Sequence, residues 1–144
     1  MVSIRHVGVV ITNIEESLKF YRDMLGFEIL KTADESGKCL DNFLDIKGTE
    51  VKTIKMIDTN NNILELLYFN SHVESPASNK IRRLTEVGCS HFAITVNDLD
   101  SLYNKLIQQK IKFNHPVQTS PDGKVKIAFC RDPDGTFIEM VEEL

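Results

Sequence analysis

The start of the chain shows the alternation of faces, with a period of two residues, that is typical of a β-strand. A strand is predicted over residues 4–11, with an apolar face that should pack against the following helix. That face carries Val7, Val9 and Ile11, whereas His6 falls on the opposite face. The pattern therefore places an imidazole inside an otherwise apolar segment.

A repeat of this pattern begins at His91. The segment HVGVVITNIEES, which starts at His6, lies over HFAITVNDLDSL without gaps, and the apolar positions of the two segments coincide. A second pair of segments, IDTNNNILELL and RDPDGTFIEMV, aligns Glu65 with Glu139. The first copy is longer between its matched segments, and we expect the extra residues in the polar stretch 32–42. The repeat indicates two copies of one small fold.

Each copy is predicted to run as strand, helix and further strands. Asn13 and Asp98 occupy equivalent positions, and both are of a type that caps helices. The first helix is predicted to extend for about a dozen residues and to end at Gly26. The expected buried stripes are Ile14, Leu18, Tyr21 and Leu25 in the first helix and Leu99, Leu102, Tyr103, Leu106 and Ile107 in the second. Further strands are predicted over residues 27–31, 43–46, 51–57 and 63–69, and over 90–96, 112–117, 125–130 and 136–141.

Two glutamates, like the two histidines, occupy equivalent positions in the two copies of the repeat. Glu65 and Glu139 lie in strands whose neighbours on the same face are apolar. An ionised carboxylate there is costly unless it is paired or bound to a metal, and two of them on converging sheets repel each other. One divalent cation resolves both problems. The predicted ligands are His6, Glu65, His91 and Glu139.

The donor set narrows the choice of metal. Two imidazoles and two carboxylates suit Zn, Ni, Co, Mn or Fe better than Ca or Mg, which favour oxygen shells. Remaining coordination positions would hold water or substrate, as a catalytic site requires. The alternative is that these residues are ordinary surface and edge positions. The coincidence of His with His and of Glu with Glu favours the metal site.

Composition excludes several other classes. The net charge of -4 and the pI of about 5.6 argue against a general nucleic-acid binder, which needs a basic face for phosphates. No segment approaches the roughly 18 apolar residues of a membrane span, and no export signal is read at the N-terminus. Cys39, Cys89 and Cys130 lack CxxC spacing and are expected to be free thiols. We therefore expect a cytoplasmic protein with neither nucleic-acid nor membrane partners.

The other histidines and the clustered basic residues have no counterpart in the repeat. His72 and His115 are expected in loops. The basic residues are expected to be solvated surface or, alternatively, to recognise an anionic substrate tail. These residues are Lys80, Arg82, Arg83, Lys124 and Lys126.

Three segments resemble the vicinal-oxygen-chelate superfamily, also called the glyoxalase/bleomycin-resistance/dioxygenase group. They are HVGVVITNIEESLKFYRDMLGFEIL, GCSHFAITVNDLDSLYNKL and IAFCRDPDGTFIEMVEEL, and the resemblance covers nearly the whole chain. It implies an α+β fold of two paired βαβββ modules whose curved mixed sheets form a metal-binding cup. It also implies a single domain over residues 1–144, with module one over about 1–70, a connector over about 71–88 and module two over about 89–144.

The ligand set and the ending DPDGTFIEMVEE are similar to lactoylglutathione lyase, or glyoxalase I. The resemblance implies a metal-dependent lyase or isomerase that moves a proton next to a carbonyl, with Glu139 or Glu65 as the base. The segment ESPASNKIRRL resembles methylmalonyl-CoA epimerase, a family that usually has glutamine where this chain has Glu65. Glu50 is an alternative base in an epimerase-like site. The segment LLYFNSHVES departs from the glyoxalase pattern of a threonine and an asparagine shortly after that glutamate, which leaves the glutathione conjugate open as substrate.

Two further classes remain open. One is a non-catalytic small-molecule binding or resistance protein, and the other is a ring-cleaving dioxygenase, for which the fourth ligand is less natural. The expected partners are a small-molecule substrate, such as a thioester or glutathione adduct, and a second copy of the chain in a homodimer. The four ligands could come from one chain or from two.

Overall fold

Two four-stranded sheets with the same strand arrangement form most of the computed structural model, which describes residues 1–71 and 82–144. The chain divides into two units, Met1–Lys80 and Ile81–Leu144, and each unit holds one sheet. His72 and most of the predicted connector lie outside the described residues. Among the described residues, no helix is long and apolar enough to cross a membrane.

The first sheet has the strand order β1-β4-β3-β2. Its strands are β1 (Val7–Val10), β2 (Glu28–Ser36), β3 (Glu50–Ile57) and β4 (Ile63–Phe69). β1 runs parallel to β4, and the other pairs are antiparallel, so the sheet is mixed.

The second sheet repeats this arrangement with the order β5-β8-β7-β6. Its strands are β5 (Phe92–Thr95), β6 (Gln118–Thr119), β7 (Val125–Arg131) and β8 (Phe137–Glu143). β5 runs parallel to β8, and the other pairs are antiparallel. The α+β class and the two βαβββ modules predicted from the sequence are therefore confirmed.

One face of each sheet forms a core. Val9 and Ile11 are buried, whereas Val10 between them is exposed, as the alternation predicts. Leu64 and Leu66 of β4 are buried in the first sheet. Ile138 and Met140 are their counterparts in β8 and are buried too.

The first helix begins where the sequence predicts but changes its geometry midway. α1 (Ile14–Leu18) starts at Asn13, whose side chain accepts a hydrogen bond from the Glu16 N–H at 3.1 Å. It continues as a π-helical segment, Lys19–Met24, in which the Leu25 N–H donates to the Phe20 carbonyl. Each π turn takes up an extra residue and so rotates the buried face.

This rotation corrects the predicted stripe. The buried positions of the helix are Ser17, Phe20 and Tyr21, and of the predicted residues only Tyr21 is fully buried. Gly26 adopts a φ of 86° and ends the helix as predicted. The Phe27 N–H then donates to the Tyr21 carbonyl, and the rings of Phe27 and Tyr21 meet edge to face.

The polar stretch after β2 contains a helix that the sequence did not predict. β2 runs on to Ser36, and α2 (Lys38–Leu44) follows, so the strand predicted over residues 43–46 is wrong. Asp45 ends α2 with a left-handed φ of 55°. The Asp41 carboxylate then accepts hydrogen bonds at 2.8 Å from the N–H groups of Gly48 and Thr49, which fixes the entry into β3.

The second module departs from its predicted strands in one place. The strand predicted over residues 112–117 is wrong, because only Phe113 forms a bridge, with Cys130, before β6 begins at Gln118. Pro116 has no N–H to donate, so it interrupts regular pairing here.

The second helix, α3 (Leu99–Gln108), contacts β7 and β8. The Asp98 side chain accepts from the Ser101 N–H at 2.9 Å, which confirms the predicted cap. The Glu142 carboxylate accepts from the Leu99 N–H at 2.8 Å and satisfies a second free donor of the first turn. Leu99 and Leu106 are fully buried, but Ile107 is 44% exposed, so its placement in the buried stripe is wrong.

Adjacent residues of α3 give a matched stability test. We expect Leu106→Ala to lower the free energy of unfolding by about 2–5 kcal/mol, because it leaves a cavity in a packed site. Ile107→Ala should cost less than about 1 kcal/mol, since its side chain already meets water. Urea unfolding followed by circular dichroism measures both. Equal losses for the two variants would contradict the observed burial.

Candidate metal centre

In the first sheet, strand pairing brings His6 and Glu65 together. Gly8 of β1 pairs with Glu65 of β4 in the parallel register, and His6 lies two residues before Gly8 on the same face. The His6 Nε2 lies 3.3 Å from Glu65 Oε2. The carboxylate side chain is only 13% exposed, against 35% for the imidazole.

The second sheet repeats this geometry with His91 and Glu139. Ala93 of β5 pairs with Glu139 of β8, and His91 lies two residues before Ala93. The His91 Nε2 lies 3.1 Å from Glu139 Oε2, with side-chain exposures of 32% and 21%. Both carboxylates are therefore largely removed from water, and each has an imidazole as its partner. The same parallel register explains both pairs.

The spacing of each pair suits two ligands of one ion. Two donors at bonds of about 2.1 Å lie about 3.0 Å apart at a right angle and about 3.4 Å apart at a tetrahedral angle. The observed separations of 3.3 and 3.1 Å fall in this range. Imidazole nitrogen and carboxylate oxygen are also the donors that Zn, Ni, Co, Mn and Fe accept. The donor types and spacing of each pair thus fit two ligands of a divalent transition metal, and they fit an ordinary hydrogen bond between the two side chains equally well.

The structure assembles two of the four predicted ligands in each unit. Within residues 1–71 and 82–144, no three His, Cys, Asp or Glu side chains are arranged as a metal-binding group. The complete set of His6, Glu65, His91 and Glu139 therefore stays a prediction.

The two glutamates have different cross-strand neighbours. Lys55 of β3 pairs with Glu65, and its Nζ lies 3.5 Å from Glu65 Oε1. The equivalent position in β7 is Phe129, which pairs with Glu139. The Phe129 ring meets the His91 ring edge to face, with centroids 5.1 Å apart. Glu65 thus lies beside the ammonium group of Lys55, whereas Glu139 lies beside the aromatic ring of Phe129.

His91 has a further polar partner. The Ser90 hydroxyl lies 2.9 Å from His91 Nδ1, on the side of the ring opposite the nitrogen that faces Glu139. A hydrogen bond at Nδ1 orients the ring and determines which nitrogen is available as a ligand. Ser90 therefore orients His91 toward the carboxylate.

Lys55 was not predicted as a site residue, although the sequence carries a signal for it. A lysine in the middle of the strand VKTIKMI is unusual for a half-buried position. Its register opposite Glu65 depends on the length of the hairpin between β3 and β4, which the sequence pattern alone did not fix.

Other candidates from the sequence lie away from the pairs. Glu50 is exposed at the start of β3, about 16 Å along the strand from Lys55. His115 is exposed, and its Nδ1 lies 2.7 Å from the Pro116 carbonyl, as expected of a loop histidine. Lys126 is held by Asp100 at 2.6 Å and so has a structural ion pair.

The three cysteines are free thiols, as predicted from their spacing. Cys39 and Cys89 are exposed, and Cys130 is buried on the core face of β7. Burial, assisted by the negative charge of Asp132, raises the pKa of the Cys130 thiol to about 12. Cys130 therefore stays protonated at neutral pH and serves packing.

The chain belongs to the Glyoxalase/Bleomycin resistance protein/Dioxygenase superfamily, whose model matches residues 3–140. The resemblance seen in the sequence segments is thereby confirmed.

Individual relatives agree with this membership. Glyoxalase I of Saccharomyces cerevisiae is 31% identical over 142 residues, which cover 94% of this chain and 42% of that protein. The chain thus spans less than half the length of this relative. A probable lactoylglutathione lyase of Synechocystis is 27% identical, with 95% of this chain and 92% of that protein covered.

A solved structure extends the comparison to the fold. A glyoxalase family protein from Bacillus cereus has a TM-score of 0.88 to this chain at 17% identity, covering 100% of this chain and 95% of that one. At this identity the likeness supports the fold alone.

The thiols provide a test of burial in the core of the second module. At pH 8, we expect Ellman's reagent to titrate Cys39 and Cys89 in the native protein and all three thiols in guanidinium chloride, because Cys130 is buried and protonated. The double variant Cys39→Ser/Cys89→Ser should show no fast-reacting thiol until it is unfolded. Rapid native labelling of that variant would show that Cys130 is accessible.

Proposed function

We propose that this chain is a metal-dependent lyase or isomerase of the glyoxalase I type, which moves a proton next to a carbonyl group. The observation that carries this proposal is the pair of equivalent His–Glu contacts, one in each module. A largely buried carboxylate on an otherwise apolar strand face needs a positive partner. The same His–Glu contact occurs at equivalent positions in both modules, which favours a functional role over local packing.

In this proposal, one divalent transition metal is the cofactor, with Zn, Ni, Co, Mn and Fe as candidates. Its ligands are His6, Glu65, His91 and Glu139. The ligands come either from one chain or from two chains of a homodimer. When bound, the ion would polarise the carbonyl of the substrate as a Lewis acid.

A carboxylate of the chain itself carries out the proton transfer. A carboxylate oxygen of Glu139 or Glu65 accepts the proton from the carbon next to the carbonyl and returns it at the neighbouring atom. The Nε2 atoms of His6 and His91 lie 3.3 and 3.1 Å from these carboxylates, a spacing that would make each His–Glu pair adjacent ligands of the ion. The residues that alternate with the two glutamates on the same strand faces are apolar; they are Ile63, Leu67, Phe137 and Val141.

The names of the relatives support the choice within this reaction class. Glyoxalase I of Saccharomyces cerevisiae and the probable lactoylglutathione lyase of Synechocystis favour a glutathione adduct as the substrate. A thioester such as methylmalonyl-CoA is the alternative, because epimerisation is the same chemistry on a related carbon acid. We further propose that the protein acts in the cytoplasm.

Metal content separates this proposal from a non-catalytic binding protein. We expect purified protein to contain about one transition-metal ion per chain by mass spectrometry of the metal. His6→Ala should lower metal affinity by at least about tenfold, because it removes a ligand. His115→Ala, which changes an exposed loop histidine, should leave the metal content unchanged. A metal-free, fully folded wild-type protein would favour the binding or resistance class.

A paired assay identifies the reaction. The full chain is supplied with several metals and given the hemithioacetal of methylglyoxal and glutathione or, separately, methylmalonyl-CoA. We expect turnover of one substrate and a loss of about 10²–10⁴-fold in kcat for Glu139→Gln or Glu65→Gln, whichever residue is the base. Glu143→Gln, at the exposed end of β8, is the matched control and should retain activity.

Failure of both substrates with every metal would reject the proposed reaction. Oxygen consumption with catechols would instead support a ring-cleaving dioxygenase.

A further inference from the structure

One row of paired residues crosses all four strands of the first sheet. Gly8 pairs with Glu65, Glu65 with Lys55, and Lys55 with Lys31. Residues directly opposite each other on paired strands point to the same face. The side chains of Glu65, Lys55 and Lys31 therefore share the face that carries His6. Along this row, the candidate metal ligand Glu65 lies next to Lys55, and Lys55 lies next to Lys31.

A backbone irregularity places the second lysine in the row. The register of β2 against β3 shifts between Ile29, which pairs with the buried Met56, and Lys31, which pairs with Lys55. Simple alternation would put Lys31 on the same face as Ile29. The bulge at Leu30 instead turns Lys31 to the face of Lys55, which is the re-aiming that bulges produce.

These two lysines have unused capacity to bind an anion. Lys55 reaches Glu65 at 3.5 Å, which is long for a charge-assisted hydrogen bond. No ion pair of Lys31 is found within residues 1–71 and 82–144. By contrast, Lys52, on the opposite face of β3, is held by Asp34 at 2.6 Å.

Like charges at directly opposed positions destabilise a sheet unless an anion lies between them. Glu28 and Glu35 share this face of β2 but lie in the rows of Ile57 and Val51. Glu65 offsets one of the two lysine charges, so the row of Glu65, Lys55 and Lys31 carries one net positive charge.

The second module indicates that the fold does not need a lysine here. Its counterpart of Lys55 is Phe129, which pairs with Glu139 in the same register and packs against His91. Both sheets form with the same topology. The charge at position 55 is thus a property of this site, not a structural requirement of the module.

We infer that Lys55 and Lys31 form a subsite for an anionic group of the substrate, a carboxylate or a phosphate, beside His6 and Glu65. An ammonium provides three donors for such oxygens. This inference rests on the proposed function only in its assignment of the anion to a substrate. It adds where an anionic group of the substrate would bind, namely on the row of Lys55 and Lys31. The binding itself is measurable without turnover.

The test is an NMR titration of the full, metal-free chain, because an added anion would otherwise bind to the metal. Inorganic phosphate and acetate are titrated separately, and amide shifts in β2 and β3 are followed. The anion that binds more tightly identifies the substrate group. We expect Lys55→Met and Lys31→Met each to raise Kd by about tenfold, and Lys55→Arg to restore binding to within about threefold.

Two further variants separate direct contact from general charge. Lys52→Met removes the same charge from the opposite face of β3 and should leave Kd unchanged. Glu65→Gln releases Lys55 from its carboxylate and should tighten binding. Circular dichroism verifies folding, and Lys31, exposed on an edge strand, provides a test even if Lys55→Met does not fold.

Unchanged Kd values in both methionine variants, or an equal loss in Lys52→Met, would overturn the subsite. Lysine-dependent binding in a protein that turns over neither carbonyl substrate would reject the proposed reaction alone. Turnover of an anionic substrate with a KM unaffected by Lys55→Met would reject the subsite alone.

Discussion

The candidate site depends on the cost of placing a carboxylate on an apolar strand face. Glu65 and Glu139 are 13% and 21% exposed, and a charge so far removed from water needs a positive or hydrogen-bonding partner. Each module provides that partner in the same way. In each module the first strand pairs in parallel with the last strand, and the histidine just before the first strand contacts the glutamate of the last strand. The same parallel pairing therefore builds each sheet and brings each His–Glu pair together.

Duplication also shows where the two modules have diverged. Their strand orders, helix caps and His–Glu contacts match, but the residue across from the glutamate is Lys55 in one and Phe129 in the other. A constraint of folding would act on both copies alike. Folding therefore does not impose the difference, which is consistent with the anion subsite proposed at Lys55 and Lys31.

The sequence predicted those features that depend on local pattern or on the repeat. Strand alternation, the caps at Asn13 and Asp98 and the two equivalent His–Glu positions all follow from them. The missed features depend on backbone irregularity or on register. The π-helical turn moves Phe20 into the core, and the bulge at Leu30 turns Lys31 toward Lys55. Neither the π-helical turn nor the bulge produces a periodic pattern of apolar residues in the sequence. The sharing of one ion by both pairs stays a prediction, because each pair is fixed by contacts within its own unit.

X-ray absorption spectroscopy of the protein loaded with one zinc or nickel ion per chain would show whether one ion binds both His–Glu pairs. We expect two imidazole nitrogens together with carboxylate oxygens, at about 2.0–2.2 Å from the metal. A first shell with one imidazole or none would contradict it, because the two His–Glu pairs would then not serve the same ion.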